Sequence, residues 1–209
     1  MSNIKTFSKK RDGNISLSAN FKVKEFACND GSDLIKIDID MIPILQKIRD
    51  LGGAVTINSA YRTATYNKKV GGATNSYHCK GQAFDIKCSG LSLDNICRIA
   101  NTLGVKGIIR YSTFVHIDSR ISKYHANSSG ARLSFSKYNI PFTSIVKAGT
   151  KGTETGIVQF KLNSLGYNCG IADGVAGSKT VNAIKQFQKA KGLTVDGIAG
   201  KNTFAKLFN

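Results

Sequence analysis

The 209-residue sequence has no tryptophan, two prolines, three histidines and few acidic side chains, 13 against 30 basic ones. It also lacks any apolar run near the ~18–20 residues needed to cross a bilayer, which excludes a membrane span. The opening MSNIKTFSKK carries lysines without a hydrophobic stretch behind them, so it does not read as a secretory signal. Cysteine is scarce and odd in number: Cys28, Cys79, Cys88, Cys97 and Cys169. None forms a C-x-x-C pair, which argues against a zinc ribbon or a thioredoxin-like redox site. Free thiols from a reducing compartment are the simplest account, with a bridge from Cys28 to Cys88 or Cys97 as the alternative. What is present, 41% hydrophobic and 21% charged residues, is globular composition with room for one large domain or two small ones.

The net charge of +17 is spread along the chain. Residues 1–148 hold 22 basic and 10 acidic groups, and residues 149–209 hold 8 and 3. Such a molecule is drawn to polyanions, either nucleic acid or a wall carrying anionic polymers, unless the charge only solubilises the surface. No groove-reading motif accompanies the charge, so nucleic acid is not the expected partner.

Periodicity predicts a helix over 38–51, with Pro43 in its first turn and Gly52-Gly53 ending it. Leu17–Cys28 reads as a turn or short strand around Phe21, Val23 and Phe26. Strands are expected at 54–58 and 83–86, a helix at 93–103, and paired strands at 107–111 and 113–118. From 120 to about 147 periodicity fades. Next comes a repeat: Asp173-Gly-Val-Ala-Gly-Ser-Lys-Thr180 returns as Asp196-Gly-Ile-Ala-Gly-Lys-Asn-Thr203. Asp-Gly makes a tight turn, and apolar residues between the copies, Val181, Ile184 and Phe187, share a helical face. An earlier helix is expected to be lined by Ile157, Phe160 or Leu162, and Leu165. The expected architecture is α+β with a small antiparallel sheet over 1–125, a linker or domain edge at 126–148, and an all-α three-helix unit over 149–209.

The histidines frame the candidate chemistry. His78 lies in SYHCKGQAFD and His116 in FVHID. Imidazole nitrogens and carboxylates are zinc ligands, and a catalytic site uses three of them and leaves one position open. His78 on a loop, Asp85 on the next strand and His116 on a neighbouring strand are placed to meet, with Gly81 permitting the turn and Ala83 leaving room. Asp118, two residues past His116 on a strand, faces the same way. A lone histidine is more often a hydrogen-bonded structural residue, so it is the combined spacing Ser-x-His-x-x-Gly-x-Ala-x-Asp with a later His-x-Asp that shifts the balance.

Residues 17–120, through LSANFKVKEFAC, SAYRTATYNKKVGGATNSYHCKGQAFDI and FVHID, resemble the D-alanyl-D-alanine carboxypeptidase-like zinc peptidases, a group that includes many phage endolysins. The resemblance implies that His78, Asp85 and His116 bind Zn2+. It implies that Arg62 contacts substrate or polarises the scissile carbonyl, the alternative being a structural salt bridge. Ser76 matches a residue near substrate, or else caps its loop. Many relatives carry an acidic general base three positions before the last histidine, where this chain has Thr113. Asp118 is the nearest carboxylate and is taken as candidate base or partner of the metal-activated water; alternatively it only orients His116. His125 is within range of the site by sequence, with a surface position favoured.

The segment 149–209 resembles the three-helix peptidoglycan-binding domain found on wall hydrolases. Its Asp-Gly turns carry the likeness, and Thr180 and Thr203 are expected to close helix turns rather than touch ligand. Together the two resemblances imply an endolysin-type peptidase with bacterial peptidoglycan as partner, and the charge adds its anionic wall polymers as a candidate. Such an enzyme would be made in the host cytoplasm without a signal peptide and act at the wall after release. The competing expectations are a wall-binding protein whose peptidase fold is degenerate at Thr113, and a charge-driven nucleic-acid binder. The last requires steeply salt-dependent DNA binding that is indifferent to chelators. We expect instead that chelation abolishes the protein's activity, as an assay with and without chelator will read.

Overall fold

The fold was analysed in a computed structural model that describes residues 2–208. The chain starts with β1 (Ile4–Ser8), the single turn α1 (Lys9–Asp12) and a 3-10 turn at Val23–Phe26. β2 (Leu34–Asp38) then pairs antiparallel with β1. Leu17–Cys28 is thus mostly coil closing on a 3-10 turn, with Phe21, Val23 and Phe26 buried. The helix expected from residue 38 starts later. Residues 34–38 are strand, the Asp38 carboxylate caps a short 3-10 turn, and α2 (Ile42–Gly52) follows with Pro43 in its first turn.

A five-stranded sheet forms the centre. β3 (Val55–Ser59) leads to α3 (Ala64–Lys69) and β4 (Ala83–Cys88), then α4 (Leu93–Leu103), β5 (Gly107–Arg110), β6 (Val115–Asp118) and β7 (Tyr124–Asn127). The strand order is β3-β4-β6-β5-β7. Ser92 caps the start of α4, and Gly104, in left-handed backbone at φ +102°, ends it. The sheet expected to be antiparallel is mixed, because β7 runs parallel to β5. β7 also lies across the expected 125/126 boundary and completes the sheet. Its sequence, Tyr-His-Ala-Asn, has no apolar alternation to reveal it.

One sheet face carries Phe84, Ile86, Ile108, Val115 and Ile117, all buried. The other carries Asp85, His116 and Asp118, because residues two apart on a strand point the same way. The five cysteines are all free, so the alternative bridges do not form.

Beyond β7 the chain has no further strand or helix until the C-terminal helices, yet it is held along α4. Asn101 donates to the Phe135 carbonyl, Arg98 to that of Lys137, and the Tyr138 amide to Thr102. α5 (Thr153–Ser164), α6 (Ser178–Ala190) and α7 (Lys201–Phe208) form the expected three-helix unit. Ile157 and Leu162 are buried in it, whereas Leu165 is exposed. Each repeat is closed by a buried glutamine. Gln159 donates to Asp173, Thr180 and the Val175 carbonyl and accepts from the Gly174 amide. Gln188 does the same with Asp196, Thr203, the Ile198 carbonyl and Gly197. The two threonines therefore serve the turns.

The C-terminal helices pack on the N-terminal part through α5 and α2. Gly156 lies against Pro43, where a side chain would collide. Lys47 forms an ion pair with Glu154, its side chain only 3% exposed. The Ala172 amide donates to Asp40. Lys161 donates to the Thr102 carbonyl at 2.8 Å near the end of α4. Burial, with Lys137 and Lys106 nearby, pushes Lys161 down to about 8.

Two predictions follow from this contact. Lys47→Met strands the Glu154 carboxylate and should cost roughly 3–5 kcal/mol in denaturant unfolding, while adding Glu154→Leu should restore most of it. For Lys161, the unfolded chain binds more protons than the folded one between pH ~8 and ~10.5, so stability should rise with pH across that window. The wild-type minus Lys161→Met difference in unfolding free energy should show this slope.

Candidate metal centre

Three side chains from distant parts of the sequence converge on the polar face of the sheet. His78 lies on the loop before β4, Asp85 on β4 and His116 on β6, where Asp85 and His116 are direct cross-strand partners. The loop turns back at Gly81, whose φ of +74° is the left-handed region glycine favours, and the Gly81 amide donates to the His78 carbonyl. His78 Nε2 is 3.1 Å from His116 Nδ1 and 3.2 Å from Asp85 Oδ1, and the last two atoms are 2.9 Å apart. All three residues are buried.

The outer hydrogen bonds decide what these atoms present. His78 Nδ1 is 2.7 Å from the Ala60 carbonyl, which can only accept, so Nδ1 carries the proton and Nε2 a lone pair. His116 Nε2 is 3.0 Å from Asp118 Oδ2, so this nitrogen donates. Although burial lowers the ring's proton affinity, Asp118 and Asp85 together raise it. Without metal Nδ1 can therefore donate to Asp85 as well, and a bound cation would take that proton's place. Once the nitrogens facing Asp85 are deprotonated, two nitrogen lone pairs and one carboxylate oxygen face one another. Uncompensated, that arrangement is repulsive; a shared cation resolves it. Donors 2.0–2.1 Å from a tetrahedral zinc ion stand about 3.3 Å apart. The N2O donor set and its spacing fit such an ion, and these residues form a candidate metal-binding group.

Neighbouring charge holds the set in this state. Burial would raise the Asp85 carboxyl, but in the metal-free protein histidines protonated toward it outweigh burial and hold it well below the usual carboxylate range, and a bound cation would act in the same direction. Arg62 donates to Asp85 Oδ2 at 2.7 Å and to Ser59 Oγ at 2.7 Å, leaving Oδ1 to the histidines. The salt bridge expected as the alternative for Arg62 is present, and it lies at the edge of the cluster. Ser59 reaches this row through a register shift after Ile57, a bulge that re-aims the end of β3. Ser76 Oγ accepts from the His78 amide at 3.2 Å, the loop-capping role.

Two expectations are corrected. Asp118 does not present a free carboxylate to the cluster. Oδ1 accepts from the backbone and Nε of Arg120, and Oδ2 accepts from Arg120 Nη2 and His116 Nε2. The residue is fully buried, and although burial raises its carboxyl, Arg120 and His116 bring it down to about 2. Its geometry is that of a group orienting His116, not of a base receiving a proton at neutral pH. His125 is neither on the surface nor at the site. It pairs in register with Ile108 on the helix-covered face and sits 3.3 Å from the Val105 carbonyl.

Sequence reading missed Ala60, Ser59, Arg120 and Tyr111. The Tyr111 phenol, on the turn after β5, is raised by burial and by the charge of Asp85, and its ring stacks on Phe114. Gly107 was also missed. It is the cross-strand partner of Asp118, and a side chain there would occupy the space of the carboxylate.

Residues 19–118 match the family model Peptidase M15, and residues 151–207 match the model described as Putative peptidoglycan binding domain. The chain therefore carries an M15 peptidase domain followed by a peptidoglycan-binding domain. It is 36% identical over 93 residues to the peptidoglycan L,D-endopeptidase MepK of Escherichia coli K12, covering 40% of this chain and 51% of that one. It is 30% identical over 104 residues to the N-acetylmuramoyl-L-alanine amidase CwlM of Mycobacterium tuberculosis, covering 50% and 22%. The chain thus spans about half or less of the length of these relatives. Among solved structures it is similar to a peptidoglycan-binding protein from Clostridioides difficile in complex with glutamine hydroxamate, with 26% identity, 64% and 54% coverage and a TM-score of 0.31.

Gly107→Ala should displace Asp118 and cost about 1–3 kcal/mol through overpacking. It should also weaken metal binding by the candidate group, measured by titrating the metal-free protein with zinc ion.

Proposed function

We propose that the protein is a zinc-dependent peptidoglycan peptidase that cleaves an amide bond in the stem peptides or cross-links of bacterial cell wall. The observation that carries this reading is the convergence of His78 Nε2, His116 Nδ1 and Asp85 Oδ1 on one point. The match to Peptidase M15 and the relatives named for peptidoglycan hydrolysis support it.

His78, Asp85 and His116 would hold the ion. Zinc bound there supplies Lewis acidity, which polarises a carbonyl and makes water a competent nucleophile at neutral pH. Arg62, partly exposed beside Asp85, adds fixed positive charge where an amide oxygen gains negative charge or a substrate carboxylate docks. The Tyr111 phenol remains protonated at neutral pH and is a hydrogen-bond donor on the same side. Asp118 keeps the His116 ring in place. Ser76 shapes the loop that carries His78.

The C-terminal helices supply the affinity for the wall, and the net charge of +17 adds attraction to anionic wall polymers. An endolysin acting on the wall is the form of this reading that joins both domains and the charge. Among the described residues, no helix is long and apolar enough to cross a membrane.

His78→Ala and His116→Ala should each lower release of new amino groups from purified walls more than ~100-fold and lose stoichiometric zinc, while still sedimenting with walls. Full release by either variant overturns the assignment. Zinc bound by the wild-type protein without any release from walls favours a wall-binding protein with a degenerate peptidase site.

A further inference from the structure

Arg120, four residues beyond His116, contacts none of the three converging atoms but touches everything behind one of them. Its guanidinium forks onto both oxygens of Asp118, at 2.7 and 2.5 Å, and its backbone amide adds a third bond at 3.0 Å. The guanidinium also stacks on two tyrosine rings, 4.8 Å from the centroid of Tyr77 and 4.6 Å from that of Tyr124. Tyr77 immediately precedes His78 in the ligand-bearing loop. Tyr124 opens β7 and is in register with Gly107, the residue whose missing side chain makes room for Asp118. One planar cation thus joins the loop of one histidine, the strand of the other and the edge strand.

We infer that Arg120, held by Tyr77 and Tyr124, is the positioning residue of the metal centre: it fixes Asp118 in one orientation, so that His116 keeps its proton on Nε2 and turns Nδ1 to the ion. The inference rests on the metallopeptidase reading above and goes beyond it in assigning a role to a residue outside the His-x-Asp motif. The fork sets the requirement for arginine. A carboxylate that accepts two parallel N–H bonds cannot rotate without breaking both, and a lysine at this position supplies charge without the fork or the planar stacking surface. A residue that only neutralised Asp118 would be replaceable by lysine at no cost to the metal site.

The test compares wild type with Arg120→Lys, Asp118→Asn and the double variant, using zinc ion alone as probe. Arg120→Lys should fold and sediment with walls, yet raise the zinc dissociation constant roughly tenfold to a hundredfold. The double variant should bind zinc no more weakly than Asp118→Asn, because the arginine acts through that carboxylate. In the metal-free protein, at a pH where the ring is neutral, nitrogen-resolved NMR of His116 should find the proton on Nε2 in wild type and a mixed population in Arg120→Lys. Unchanged zinc affinity in Arg120→Lys, additive losses in the double variant, or a proton on Nδ1 in wild type would each overturn the inference. If wild-type protein binds no zinc, the metallopeptidase reading fails, and the His116 proton position still decides the role of Arg120.

Discussion

The candidate site depends on two hydrogen bonds made on its far side. Ala60 and Asp118 take the protons of His78 Nδ1 and His116 Nε2, and so aim the opposite nitrogens at Asp85. Without those acceptors each ring could rotate or exchange tautomers, and the trio would settle into ordinary histidine–carboxylate hydrogen bonds. With them, the ring nitrogens facing Asp85 are held where a metal cation can replace their protons.

The sheet register makes this possible at little conformational cost. Asp85 and His116 are cross-strand neighbours, so their separation is set by backbone pairing rather than by side-chain reach. Asp118 follows two residues later on the same face, and Gly107 opposite it leaves the space the carboxylate fills. The opposite face, with Phe84, Ile86, Val115 and Ile117, is buried and anchors the register, since a one-residue slip would exchange the two faces.

Much of this was legible in the sequence. The α4 helix, the β5–β6 pair, the Gly81 turn and the three converging residues follow from periodicity, glycine placement and motif spacing. The three-helix unit follows from its Asp-Gly repeat. What escaped has physical reasons. β7 pairs parallel to a strand already in place and needs no alternating pattern of its own. For Asp118 the sequence leaves a base, a partner of the metal-activated water and an orienting group for His116 all open, because it shows a carboxylate near a histidine but not that Arg120 occupies both its oxygens. Ala60 contributes a backbone carbonyl, which no side-chain motif encodes. His125 lies on a strand whose register, invisible in one dimension, turns it to the helix-covered face. The alternation His116, Asp118, Arg120 was the available signal for the missed arginine, since every second residue of an extended segment shares a side.

The buried pairing of Lys47 with Glu154, and the seating of Gly156 on Pro43, bear on how the molecule would work along a polymer. A module swinging on a slack tether samples many separations, and its local concentration falls as the tether lengthens. Helices bolted to α2 sample one. On the proposed function, a strand gripped by the C-terminal unit would meet the histidines at a constant offset, as stock meets the blade of a gauge-set cutter, so spacing between successive reachable bonds would become a matter of the polymer's own repeat.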